Sequence, residues 1–212
     1  MSKYPEFYFK NDVEWREWLH ENHKEYTGIH LIFYSVDHSK ESMRWEEAVK
    51  VALCFGWIDS TVKSLGNGKR KQYFSPRKPN TTWSTLNKAY IEELKSDGLM
   101  HQSGLATIDI AKANGSWTAL DDVENGVIPD ILQKAFDKNQ TAFENFKNFT
   151  KSQKKGYLYW LKQAKRDETR QKRVKEIISL SEQNIKYRNW RLPSIFFSVD
   201  KGGHSSDKSK CT

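Results

Sequence analysis

The turn Gly66-Asn67-Gly68 constrains the fold of this chain more than any other short stretch. It separates two runs, residues 57–62 and 71–74, in which β-branched and aromatic side chains predominate. Tight hairpin turns need positive φ, which glycine and asparagine reach most readily, so the pattern predicts two paired antiparallel strands. Just before them, Trp45, Ala48, Val49, Ala52 and Leu53 recur at the spacing of one buried helical face. Gly56 follows, where a helix ends most easily on a left-handed residue. A helix that must bury one face beside a hairpin that must bury one face implies an α+β domain.

The flanking sequence extends that unit. Residues 4–10 read as a short strand, and Asp12 is placed to cap a helix running to His23, with Trp15, Trp18 and Leu19 on one face. Residues 28–36 form the strongest strand pattern in the chain. Beyond Ser75-Pro76-Arg77-Lys78-Pro79, a helix capped by Thr82 or Ser84 is expected to run to Gly98, and another, capped by Ser103, to end before Asn114-Gly115. The acidic stretch 121–127 suggests a boundary. Past it, Pro129 suits a first helical position, Thr141 to Glu144 reads as a capping box, and one long helix is expected from Ser152 to about Ile178.

The expected fold is thus a small, mainly antiparallel sheet with packed helices over residues 1–127, then a helical unit over 128–188. Residues 189–212 read as a largely disordered tail, in which 195–199 alone has strand character. The expected core comprises Trp15, Leu31, Phe33, Trp45, Val49, Leu53, Ile58, Leu86, Ile91, Phe143, Phe146, Trp160 and Leu161.

Composition narrows the setting. No run approaches the roughly 18 apolar residues that span a bilayer, and the first residues lack the apolar stretch of a secretory signal. Cys54 sits among apolar residues and Cys211 lies next to last; free thiols suit a reducing compartment, so a cytoplasmic location is expected, with a Cys54–Cys211 bridge as the minor alternative. The net charge is +8, and it is localised: residues 151–175 hold ten Lys or Arg against two acids, whereas residues 1–150 hold 19 basic and 21 acidic residues. A basic segment in an otherwise balanced chain suggests a local contact surface.

Two constellations are candidate sites. Trp57 and Asp59 on one hairpin strand, Arg77 just past the other, and Trp83, Ser84 and Asn87 at the next helix start are expected to converge at one end of the sheet. That would give a recess with a carboxylate, a guanidinium, two indoles and a helix N-terminus, suited to a small polar ligand or a peptide end. The competing reading is a structural Asp59–Arg77 ion pair with both tryptophans in the core. The second constellation is Arg166, Arg170 and Arg173, at i, i+4 and i+7, with Lys162 near the same stripe and Lys151, Lys154 and Lys155 upstream. It reads either as a phosphate- or acid-partner surface or as a solvated helix face.

Enzyme signatures are weak. Gly66-Asn67-Gly68-Lys69 lacks the spacing of a phosphate-binding loop, and Cys54 reads as a packing thiol. His20 and His23 have no third ligand tied to them by spacing and read as solvated, so no metal and no cofactor is implied.

Several motifs, taken in order, resemble the YdeI/OmpD-associated family, also labelled bacteriocin-protection proteins. They are Trp45-Glu46-Glu47-Ala48-Val49, Ala52-Leu53-Cys54-Phe55-Gly56-Trp57-Ile58-Asp59, Ser75-Pro76-Arg77, Trp83-Ser84-x-x-Asn87, Gly98-Leu99-Met100, Gly104-Leu105-Ala106, Gly115-Ser116-Trp117, and Ala164-Lys165-Arg166-Asp167-Glu168-Thr169-Arg170 with Arg173. The resemblance covers about residues 7–188. It implies a role in protection against bacteriocins or antimicrobial peptides and an association with porins, and it brings no set of catalytic residues. The leading functional expectation is therefore a non-enzymatic stress-protection or interaction protein that meets a protein partner or acidic ligand. Non-specific nucleic-acid binding through the basic helix comes second, and an enzyme using Asp59 and Arg77 ranks last.

Overall fold

The computed structural model describes residues 4–188. The Cys211 thiol, the tail from Asn189 and the strand expected at 195–199 fall outside those residues. Within them the fold is α+β, with a four-stranded sheet in the order β1-β2-β4-β3. The strands are β1 (Glu6–Phe7), β2 (Ile29–Tyr34), β3 (Trp57–Gly66) and β4 (Lys69–Pro76). The hairpin forms where the turn chemistry required it, and Gly66, Asn67 and Gly68 all have positive φ. The sheet is mixed: β2 and β3 flank β4 antiparallel, while β1 runs parallel to β2, pairing Glu6 with His30 and Phe7 with Leu31.

One sheet face is the core. Ile29, Leu31 and Phe33 of β2 stand opposite Phe74, Gln72 and Arg70 of β4, and the first three are almost fully buried. Helices α1 (Asp12–Asn22) and α2 (Trp45–Cys54) cover this face. Trp15 packs edge-on to Trp57 and Phe74, and its indole N–H donates to the Ala48 carbonyl at 3.1 Å, tying α1 to α2 across the sheet. The cap of α1 is Asn11 rather than Asp12, and α2 starts after Arg44, whose N–H donates to the Glu47 carboxylate at 2.7 Å.

Helices α3 (Thr85–Ser96) and α4 (Gln102–Ala113) extend the layer. Ser84 caps α3, as its sequence suggested. The cap of α4 is His101, because the Ser103 hydroxyl is turned away to the Phe55 carbonyl at 3.0 Å. This docking needs a glycine. A Cβ on Gly104 would sit 2.1 Å from the Cys54 carbonyl oxygen, inside the closest approach of real atoms.

The remaining helices form a second core. They are α6 (Asp130–Phe136), α7 (Gln140–Lys147), α8 (Lys151–Lys162) and α9 (Asp167–Glu182), packed around Leu132, Phe136, Phe146, Tyr157, Leu161 and Ile177. Pro129 and Asn139 precede α6 and α7, so the expected box at Thr141 lies two residues too late. The short α5 (Asp121–Glu124) links the two cores: Lys88 of α3 pairs with Asp121, and Lys155 of α8 pairs with the buried Glu124 at 2.7 Å. Of the expected core, Trp45, Ile58, Leu86, Phe143 and Trp160 are only partly buried, and the rest are buried.

The single long helix expected from Ser152 does not form. Residues 163–166 break it into α8 and α9.

The two glycines with contrasting surroundings give a direct check. Gly104→Ala forces α4 off the α2 terminus and should destabilise the protein by about 2–3 kcal/mol, as overpacking does. Gly156→Ala, inside α8 with nothing within 4 Å of the added methyl, should stabilise it by about 0.5–1 kcal/mol. Thermal melts of both variants test this; equal shifts of the same sign would contradict the packing.

Candidate functional site

The helix-covered face carries a buried polar layer where β3 and β4 meet the starts of α2 and α3. Alternation points Asp59 inward from β3, opposite Phe74. One of its carboxylate oxygens accepts from the Trp45 indole N–H at 2.9 Å and from the Gln72 side-chain amide. Arg77, just past β4, is held by its own backbone N–H, which donates to the Gly56 carbonyl at 2.9 Å. Its guanidinium donates to the Thr82 carbonyl at 2.6 Å and lies 3.6 Å from the centre of the Trp83 ring, a stacked cation–π contact.

Asp59 and Arg77 are each only 8% exposed, and Trp57 and Trp83 are each 1% exposed. Burial pushes the Asp59 carboxyl above the usual carboxylate range, against the pull of Trp45, Gln72 and the Arg77 charge. Burial likewise draws the Arg77 guanidinium down to about 10, with Asp59 opposing the shift. The two charges act on each other through space, without a direct ion pair among the described residues. Arg77 Nε and Nη1 and Gln72 Oε1 are buried without a protein partner.

The other recess residues sit at the rim. Ser84 is half-buried, and its hydroxyl accepts the Asn87 backbone N–H at 3.2 Å. Asn87 is half-buried in the first turn of α3. Sequence spacing brought Asp59 and Arg77 together but gave no sign of Trp45 and Gln72. Both were visible only as, respectively, a helix-face aromatic and a polar residue in a strand.

Of the two histidines expected to be solvated, His20 is exposed and His23 is not. His23 is buried, not solvated, with Nδ1 on the Leu19 carbonyl at 2.8 Å. His101 joins it, with ring centres 5.0 Å apart, and His20 lies 6.0 Å from His101. Burial, and then the neighbouring His23 and His20, hold His101 below its ordinary value. No metal-binding group of His, Cys, Asp or Glu forms among the described residues.

The basic segment becomes an elbow between two helices. Arg170 pairs with Asp167 at 2.8 Å and donates to the Ala164 carbonyl at 3.3 Å. Arg173 donates to the Trp160 carbonyl and lies 4.9 Å from the Trp160 ring centre; Arg188 stacks on the same ring at 3.7 Å and pairs with Glu176. Arg173 thus satisfies a carbonyl that the end of α8 leaves open, and Arg170 satisfies one in the bend itself. Lys162, Lys165 and Arg166 are exposed at the bend, and no ion pair forms to them among the described residues. Arg166 is the N-cap residue of α9, with no side-chain cap bond.

The geometry defines an α+β domain with a rigid buried charge layer, joined to a helical module that presents a cationic bend. Family models match two separate stretches of the chain. Residues 125–184 match the family described as Bacteriocin-protection, YdeI or OmpD-Associated. Residues 7–107 match a Domain of unknown function (DUF8412). The family likeness read over about 7–188 therefore rests on the helical module, which contains the Ala164–Arg173 motif, while the motifs from Trp45 to Gly104 fall in the other match. No curated protein and no solved structure matches the chain.

Arg77→Ala should lower stability by about 3 kcal/mol, because it strips the Thr82 bond and the Trp83 stack and leaves Asp59 buried without its opposing charge. The pH dependence has a defined sign. A carboxyl whose folded pKa exceeds its unfolded value binds its proton more tightly in the folded state, so ionising it weakens the fold. Relative to Asp59→Asn, the natural protein should lose stability as pH rises from the ordinary value of 3.8 through the raised folded value, and the difference should flatten above it. Urea melts across that range check the sign; a rising difference would contradict the burial argument.

Proposed function

We propose that this protein acts in the cytoplasm as a non-enzymatic interaction protein of the stress-protection kind, and that the cationic elbow between α8 and α9 is its contact surface for an acidic partner protein. The observation that carries this reading is the division of labour among the basic residues. Arg170, Arg173 and Arg188 are bound into the helical module, whereas Lys162, Lys165 and Arg166 stand exposed at its bend with no ion pair among the described residues. The match of residues 125–184 to bacteriocin-protection proteins supports the same module as the functional one. In the Asp59–Arg77 layer, by contrast, the charged groups bind the frame together, which favours a structural role there over acid–base chemistry.

Charge on an interface rim governs association and its salt dependence more than it governs packing. The triple variant Lys162→Glu, Lys165→Glu, Arg166→Glu leaves the α8–α9 contacts intact and should fold normally by circular dichroism. Cross-linked capture with the full-length protein should retrieve an acidic partner that the variant binds about tenfold or more weakly, and added salt should weaken the natural complex. Retention of the same partner by the folded variant would reject this surface.

A further inference from the structure

The second face of the sheet is not covered by α1 or α2: His30, Tyr34, Lys69, Lys71 and Tyr73 on it are half-buried, and Ile32 at its centre is buried. The helices that cover the sheet, α1 and α2, lie on the face of Leu31, Phe33 and Phe74. On the opposite face, register places His30 beside Tyr73, Ile32 beside Lys71 and Tyr34 beside Lys69. Tyr4 packs against His30 and Tyr73, with ring centres 6.2 and 4.7 Å away, and Tyr8 meets Tyr34 edge-on at 5.5 Å. These rings are half-buried, so each offers a surface while its neighbours hold it in place. Tyr73 lies down on the backbone: a Cβ on Gly28 would fall 2.0 Å from its hydroxyl oxygen.

Two aromatic groups therefore stand at the two ends of β2. They are separated by the four residues from His30 to Tyr34, about 13 Å at the rise of a strand.

The charge of this face is one-sided. Lys63 of β3 lies directly opposite Lys71 of β4, and Lys69 follows on the same face. Like charges paired directly across strands destabilise a sheet. Glu6 is the partner of Lys71, and Lys63 and Lys69 have no ion pair among the described residues. Lys40 reaches in from the loop, 3.9 Å from the Tyr8 ring centre. The acids of α1, such as Glu14, Glu17 and Glu21, belong to the helix on the other side. A sheet face with aromatic rings at two stations and two lysines, Lys63 and Lys69, that have no ion pair among the described residues complements a chain that alternates flat bases with phosphates.

We infer that this face binds single-stranded nucleic acid, with bases stacking on the Tyr4–His30–Tyr73 and Tyr8–Tyr34 groups and phosphates meeting Lys63 and Lys69. The surface is distinct from the elbow and would operate alongside it. Stacking and phosphate contact do not depend on the sugar, so RNA and DNA strands should bind alike.

The test is fluorescence anisotropy with the full-length protein and labelled oligouridylate and oligothymidylate of about 12 nucleotides at low salt. Binding of both should weaken with salt at a slope of about −0.7 per phosphate contacted, near −1.4 for the two lysines. Tyr34→Leu and Tyr73→Leu, which keep apolar bulk, should each weaken binding about tenfold. Lys63→Ala with Lys69→Ala should flatten the salt slope by about 1.4. The elbow triple variant should bind as the natural protein does. The inference is overturned by no binding of either strand at low salt, by sheet variants that bind like the natural protein, by loss in the elbow variant alone, or by duplex DNA binding as tightly as single strands.

Discussion

The fold depends on accommodating a carboxylate and a guanidinium away from water. Desolvating either ion costs several kcal/mol, and partial compensation must come from hydrogen bonds and opposing charge in fixed positions. Those partners come from three places in the chain, Trp45 at the start of α2, Gln72 inside β4 and Thr82 ahead of α3, while the Gly56 carbonyl at the α2–β3 turn holds the Arg77 backbone. The layer can be satisfied only with α2 on this face of the sheet and α3 beside it. It therefore does more than fill space, since it selects which face the helices take. Hydrophobic burial alone would be content with more than one arrangement, whereas a buried charge tolerates few.

That selection distributes the chain's remaining charge. With α1 and α2 committed to one face, the tyrosines and lysines of alternate strand positions are left on the other. The α5 bridge works similarly at larger scale. Lys88–Asp121 and Lys155–Glu124 attach the helical module to the α+β domain through ion pairs, the second of them partly buried, so those lysines belong to the scaffold. The basic excess of residues 151–175 is thereby divided into a structural share and an exposed one, which includes Lys162, Lys165 and Arg166 at the bend.

Much of the frame was legible in the sequence because local chemistry and global fold agree there. The Gly66-Asn67-Gly68 turn, the apolar stripe of α2, and Ser84 before α3 each carry a short-range signal that the tertiary structure has no reason to override. The misses have physical causes. The α8–α9 break contains neither Gly nor Pro, and the apolar spacing runs through it, with Ala164 itself buried. At the break, Arg173 reaches back to the Trp160 carbonyl in the last turn of α8 and Arg170 to the Ala164 carbonyl just beyond it, contacts that an arginine-rich sequence does not advertise. At α7, Asn139 and Thr141 both offer capping oxygens, and the earlier one took the role. The parallel pairing of β1 depends on which strand edge was vacant, something a two-residue strand cannot encode. In the polar layer, Asp59 and Arg77 stood out as charges in an apolar setting, but Gln72 and the indole of Trp45 gain meaning only once they are seen to converge.

The account treats Asp59 and Arg77 as a closed structural layer, which leaves interaction to the chain's exposed cations. Arginine side-chain NMR examines that claim most directly, because Arg77 Nε is buried and bonded to no protein group. The Arg77 Nε–H resonance should exchange slowly with solvent and stay in place when phosphate, chloride or acetate is added to high concentration. Rapid exchange, or a saturable shift on adding any of these anions, would show an open anion pocket and contradict the closed layer.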